Sequence, residues 1–391
     1  MSELNPTIVR KAPPIDVRLG CPVIVEPGRV IPEIDLLSPL TIEGVTFRNR
    51  IVVSPMCQYC AVEGFASDWH LVHLGSRAVG GAGLIFVEAS AVTREGRITP
   101  GDMGIWSDDH VEPLARIARF LESQGTVPGI QLAHAGRKAS CAAPWTGGAR
   151  LRTAEEGGWA VVAPSAIPFH PDDPLPVALN ERGIDEVVDA FVAAAIRAVR
   201  AGFRVIELHM AHGYLLHEFL SPLSNQRTDE YGGSLENRMR LPVRVAAAVK
   251  AVLPPDSPPF VRISATDWVE GGWDLEQSVE LSKALCLAGV KLIDVSSGAL
   301  VPHAKIPVAK NYQVPFAAAI RREVGIGTGA VGTITEARQA NEIITSGDAD
   351  LVFVGREMLR DPYWAIHAQE ALRGSSTWPI QYGYAAAPTK R

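Results

Sequence analysis

The sequence predicts a (β/α)8 barrel. Eight short apolar runs alternate with amphipathic stretches along the chain, and no second glycine-rich dinucleotide unit interrupts them. A doubly wound sheet gives the same alternation, but eight units favour closure. The length of 391 residues suits one large barrel as well as two domains. The expected division is a proline-rich arm over residues 1–35, the barrel over 36–375, and a tail over 376–391 that is a candidate for a subunit interface.

The hydrophobic share of 47% and charged share of 20% are ordinary for a globular protein with a substantial core. A formal net charge of -6, with no basic run, argues against nucleic-acid binding. No apolar span is long enough for a bilayer, and the residues behind Arg10 and Lys11 lack the apolar core of a secretory signal. Five scattered cysteines do not form a disulfide framework. A reducing cytoplasm is the expected compartment.

After the arm, Pro39–Ile42 and Thr46–Arg50 predict a hairpin turning at Glu43-Gly44 and capping one end of the barrel. Strands are expected at Ile51–Ser54, Leu84–Glu88, Gly129–Leu132, Val205–Leu208, Phe260–Ile263, Leu292–Val295, Gly327–Ala330 and Leu351–Val354. Helices fit most clearly at Glu112–Ser123, Asp185–Ala201, Ser234–Val252, Leu275–Ala288, Thr335–Ser346 and Pro362–Leu372, with Ser234 and Asp274 as caps. Two long connections break the rhythm. Residues 133–183 follow the third strand and are expected to shape a pocket, and Ser297–Val314 is a candidate lid.

Barrel chemistry sits at the carboxyl ends of strands. The fourth strand ends in His209-Met210-Ala211-His212-Gly213-Tyr214, so two imidazoles and a phenol crowd one terminus. Neutral donors of this kind suit a carbonyl or phenolate oxygen. Histidines bonded to loop carbonyls are the bland alternative, which two histidines and a tyrosine together disfavour. After the seventh and eighth strands, Gly329, Gly332 and Gly355 allow backbone to approach a phosphate, and Arg356 adds charge; tight packing is the competing reason for glycine there. Arg262 lies inside an apolar strand that supplies no acidic partner. Together with Gln131 it suits an electron-rich heterocycle that gains negative charge, and the set suggests flavin mononucleotide, FMN. Cys57 and Cys60 form a Cys-x-x-Cys without a second pair, so no metal is expected there. His70 and His73, lacking a carboxylate partner, are read as helix surface and packing.

These stretches resemble the Old Yellow Enzyme family of FMN-dependent ene-reductases, in its thermophilic-like bacterial branch. The resemblance runs from Pro39 to about Tyr382 and is carried by Ser54-Pro55-Met56-Cys57, Gln131 through Lys138, His209 to Tyr214, Phe219-Leu220-Ser221-Pro222 through Asn237-Arg238, and Gly355-Arg356. It implies that Cys57 tunes the flavin and that Tyr59 contacts substrate. Ala89, Gln131 and Arg262 would line the ring, with Ser54, Pro55 and Met56 beside it, while Gly329, Gly332, Gly355 and Arg356 hold the phosphate. His209 and His212 would hold the oxygen of an activated alkene, Tyr214 would donate the proton, and NADPH or NADH would be the reductant. A homo-oligomer, dimer or tetramer, is implied. The chain departs from the branch in its arm, in Met210 where a smaller residue is usual, and in Tyr384, which stands where the branch places an arginine that crosses to the neighbouring subunit; Trp378 is a second aromatic candidate for that role. The competing readings are a metal-dependent barrel hydrolase, a flavin reductase of the same fold with other substrates, and a non-catalytic FMN-binding protein.

Overall fold

The computed structural model describes residues 34–386, so the arm and the last five residues lie outside the described residues. Eight parallel strands close into a barrel in chain order. They are β1 (Ile51–Val53), β2 (Leu84–Ala91), β3 (Val127–Ala133), β4 (Val205–Met210), β5 (Pro259–Ser264), β6 (Leu292–Ser296), β7 (Gly327–Val331) and β8 (Leu351–Val354). The ring closes where β8 meets β1, with Val352 opposite Ile51 and Val354 opposite Val53. The principal helices are α1 (Asp68–Val79), α2 (Val111–Ser123), α3 (Glu181–Arg200), α4 (Leu235–Val252), α5 (Leu275–Leu287), α6 (Val314–Val324), α7 (Ala337–Thr345) and α8 (Trp364–Arg373). The alternation predicted a (β/α)8 barrel, and this is one.

Local chemistry explains the boundaries. Ser234 accepts the Asn237 N–H at 3.3 Å, and Asp274 accepts the Gln277 N–H at 2.9 Å, so both expected caps start their helices. Helix α3 begins earlier than expected because Asn180 caps it, accepting the Gly183 N–H at 2.9 Å. Its first turn, Glu181-Arg182, is polar and hides the periodicity. Strand β2 continues past Glu88 to Ala91 because the register to β3 shifts between Val87 and Ala89. A bulge of this kind adds one residue and re-aims the strand beyond it.

The amino-terminal end of the barrel is plugged. Strands Leu40–Ile42 and Val45–Phe47 pair antiparallel around Glu43-Gly44, both with positive φ, as a two-residue hairpin requires. Phe47 packs with Phe260, and Phe86 stacks on Phe353 at 5.9 Å. Glu43 at the hairpin tip pairs with Lys250 and Lys291, each at 3.0 Å. Gly329 belongs to this packing: a Cβ there would fall 2.2 Å from the Phe353 ring. A larger apolar layer lies between the strands' outer faces and the helices. Among the described residues, no helix is long and apolar enough to cross a membrane.

Candidate active site

The carboxyl ends of the strands surround a cavity of about 470 Å3. Ser54, Pro55, Met56, Cys57, Tyr59, Ala89, Gln131, His209, His212, Tyr214, Arg262, Gly332, Gly355 and Arg356 all line it. Gly329 does not, since its close approach is to Phe353, and the packing reason for glycine holds at that position.

Strand alternation assembles the floor. Period two puts Glu207 and His209 of β4 on the same face, as it does Arg262 and Ser264 of β5 and Asp294 and Ser296 of β6. The register sets Gln131 beside Glu207, and His209 beside Arg262 beside Asp294. Gln131 Nε2 donates to Glu207 Oε1 at 2.8 Å, Arg262 Nη1 donates to Ser54 Oγ at 3.0 Å, and Arg262 Nε stands 3.1 Å from Asp294 Oδ2. The anionic partner missing from the strand of Arg262 is thus supplied by the neighbouring strand. Burial holds the Glu207 and Asp294 carboxyls above their usual range, while the Arg262 guanidinium opposes the rise.

At the end of β4, His209 Nδ1 accepts the Ala211 N–H at 3.2 Å, leaving the ring proton on Nε2. That nitrogen lies 3.4 Å from His212 Nδ1, and His212 Nε2 lies 2.8 Å from Ser296 Oγ. Burial pushes both imidazoles well below their ordinary pKa, with Arg262 adding to the effect, so both are neutral. His212 has a left-handed φ of 59°, secured by its N–H on Ser264 Oγ at 2.9 Å and by Lys138 Nζ on its carbonyl at 2.8 Å. The Tyr214 ring stands edge-on to His209 at 4.9 Å, and burial holds its phenol protonated.

Burial raises the Cys57 pKa well above the ordinary thiol value, with the nearby Ala89 backbone and Tyr59 hydroxyl opposing the rise, so it is a thiol, not a thiolate. Cys60 turns the other way, 3.7 Å from His70 Nε2. His70 and His73 lie on the buried face of α1, so the packing half of their expectation holds and the surface half is corrected. His70 also has a carboxylate neighbour, contrary to expectation: Glu88, released from the barrel face by the bulge, lies 3.7 Å away. His134 and Arg137 leave the cavity to brace the loops, with Arg137 Nη2 donating to the Leu300 carbonyl at 2.8 Å. In the connection expected to act as a lid, Gln313 ties Ser297 Oγ (2.6 Å) to the Val331 carbonyl (2.9 Å). Sequence reading gave Ser296 only as a strand-end residue, and missed Tyr312, Gln313, Glu207 and Asp294 as site residues. Inward alternation could have found Glu207 and Asp294, whereas nothing local points to Tyr312 or Gln313.

The donor set fits a flavin nucleotide. Among the described residues Arg356 has no ion-pair or hydrogen-bond partner, and Arg262 Nη2 has none either, although both line the cavity. Gly332 has φ 110°, and a Cβ there would fall 2.4 Å from Gln313 Nε2, so only bare backbone fits at this point of the rim. The cavity therefore brings together cations, bare backbone, a side-chain amide and neutral proton donors. Fold and site together define a barrel oxidoreductase built around a flavin.

Comparison with known proteins gives the particular family. The model of the NADH:flavin oxidoreductase / NADH oxidase family matches residues 35–374, and the chain belongs to that family. It is 50% identical to an NADPH dehydrogenase of Geobacillus sp. (strain WCH70) over 349 residues, covering 89% of this chain and 97% of the relative. It is 49% identical to an NADPH dehydrogenase of Bacillus subtilis (strain 168), covering 89% of this chain and 98% of that one. Among solved structures it is similar to morphinone reductase in complex with tetrahydroNAD (TM-score 0.71, 26% identity, 88% of this chain and 92% of that chain). The old yellow enzyme homologue from Zymomonas mobilis is similar to the same degree (TM-score 0.71, 26% identity, 90% and 97%). The chain is an Old Yellow Enzyme-type, NAD(P)H-dependent flavin oxidoreductase with FMN as cofactor.

Proposed function

We propose that this protein is an ene-reductase, reducing the activated C=C bond of α,β-unsaturated carbonyl or nitro compounds with NADPH or NADH as reductant. The observation that carries the reading is the end of β4, where two neutral imidazoles and a half-buried phenol border the same cavity as Arg262 and Gln131. Bound there, FMN would supply the redox chemistry, hydride transfer from the nicotinamide to the alkene's β-carbon.

The residues do the rest. Gln131 and Arg262 would hold the flavin ring, the Arg262 cation favouring negative charge on it; Ser54, Pro55, Met56, Cys57 and Ala89 would pack beside it. Gly332, Gly355 and Arg356 hold the phosphate; Gly329 keeps the adjoining strand closely packed. His209 and His212 donate to the substrate oxygen and stabilise the charge that develops on it. Tyr214, kept protonated by burial, delivers a proton to the α-carbon. Tyr59, on the cavity wall beside Cys57, orients the substrate.

The test is an absorption spectrum under anaerobic conditions. A flavin band should bleach with NADPH and return on addition of 2-cyclohexenone. Bleaching without return would leave a flavin reductase for other acceptors, and a protein that stays colourless when supplied with FMN would overturn the reading.

We also propose a homo-oligomer with the tail at its interface. Trp378 is engaged within its own chain, stacked on Tyr363 at 5.8 Å, whereas Tyr384 is 87% exposed and is the aromatic free to cross to a neighbour. A monomer in light scattering would remove this idea.

A further inference from the structure

A second cavity, of about 730 Å3, lies under the long insertion between β3 and α3. It shares Tyr59 and Tyr214 with the first, so the two meet at the proton donor proposed above. Reduction of a small enone does not need this volume. Its lining mixes Ile98 and Phe169 with Lys138 and Arg150. Lys138 Nζ sits 4.6 Å from the Phe169 ring and 5.3 Å from the Tyr214 ring, and donates to the His212 and Ala299 carbonyls, so two of its three protons are used.

Arg150 is less well satisfied. Its side chain is 6% exposed; Nη2 donates to the Arg137 carbonyl and reaches Asp173 Oδ2 at 3.4 Å, while Nε and Nη1 are buried without a partner. Asp173 is a poor match, since its Oδ2 also takes the His170 N–H at 3.1 Å. Buried guanidinium donors are costly unless an anion completes them.

We propose that this cavity is a subsite for an anionic group carried by the alkene substrate, with Arg150 as its anchor. The inference rests on the ene-reductase reading and names its substrate class: activated alkenes bearing a carboxylate at the end of a short apolar chain. The apolar segment passes Tyr59 and lies against Phe169 and Ile98. The carboxylate reaches Arg150, displacing Asp173, with the Lys138 ammonium nearby.

The test uses the holoenzyme with (E)-7-oxooct-5-enoate, its methyl ester, and 2-cyclohexenone as a neutral control. The acid should be preferred over the ester by about tenfold in kcat/KM, the size of effect expected for a hydrogen-bonded charge pair. Arg150→Met should abolish that preference through KM, leaving kcat and the rate with 2-cyclohexenone unchanged. Asp173→Asn, which keeps the arginine and removes its competitor, should widen the preference, and serves if the Arg150 variant does not fold. Equal use of acid and ester by the unaltered enzyme would overturn the subsite. So would an Arg150→Met variant that needs more NADPH for flavin reduction but keeps its acid-to-ester ratio, because the cavity would then serve the dinucleotide. Failure to reduce 2-cyclohexenone would bring down the ene-reductase reading and this inference with it, whereas reduction without an acid preference sinks the subsite alone.

Discussion

The two ends of the barrel are made from the same strands and solve opposite problems. At the amino-terminal end, Phe47, Phe86, Phe260 and Phe353 fill the interior, Phe353 also reaching the cavity, and the hairpin closes it. At the carboxyl end the same interior carries Gln131, Glu207, Arg262 and Asp294, an array whose charges balance among themselves but leave Arg262 Nη2 free toward the cavity. The first end is complete by packing, while the second is complete when it holds a ligand. The difference teaches where a substitution should register. Changes at the plug should alter stability and spare chemistry, and changes at the rim should do the reverse.

Substitutions can break that division, starting with the largest effect. Tyr214→Phe should slow alkene reduction by about 10²–10⁴-fold while leaving flavin reduction by NADPH and the urea midpoint unchanged. Stopped-flow measurement of the two half-reactions separates them, and equal slowing of both would deny Tyr214 its proton-donor role. At the opposite end, Phe86→Ala should cost roughly 3–5 kcal/mol of stability in urea unfolding, while the folded fraction retains its kcat. A loss of kcat in that variant would show that the plug is coupled to the chemistry.

Glu88 sharpens the comparison because it is buried yet belongs to neither interior. Burial raises its pKa to about 8 from an ordinary 4.5, with the Gln58 N–H opposing the rise. The folded protein therefore keeps this proton where the unfolded chain has released it. The stability contributed by the neutral carboxyl is full below pH 4.5 and is lost as pH rises toward 8. Glu88→Gln should flatten that decline, worth on the order of 1–3 kcal/mol between pH 5 and 8.5. Urea midpoints at the two pH values check it, and an unchanged slope would mean that other groups set the decline. The smallest effect is expected for Ser296→Ala, which removes the neighbour of His212 Nε2 at 2.8 Å. KM for 2-cyclohexenone should change by about threefold or less, with kcat retained.

Much of this was legible in the sequence, and the illegible part has a physical pattern. The barrel, the hairpin turn at Glu43-Gly44 and the caps at Ser234 and Asp274 follow from local periodicity and short-range hydrogen bonding. The end of β4 announced itself because His209, His212 and Tyr214 are close in sequence. Asp294 was missed as the partner of Arg262 because the two meet across strands, 32 positions apart, through a register no local pattern displays. His70 and Glu88 meet for a comparable reason: the bulge in β2 swings a residue out of an apparently regular run. Gly329 shows the limit from the other side, since a glycine making room for phosphate and one making room for Phe353 look alike until the neighbouring strand is in place.

The seam between β8 and β1 sets a limit on how the protein can be made. Residues Ile51–Val53 emerge early in synthesis, yet their partners at Val352–Val354 emerge some 300 positions later. Until then β1 has an unpaired edge on that side, and the ring cannot shut around its aromatic plug. Exposed edges of this kind invite pairing with other chains. Yield from a fast-translating host should therefore depend on whether nascent chains are shielded, by chaperones or low temperature, during the interval before the last strand is released.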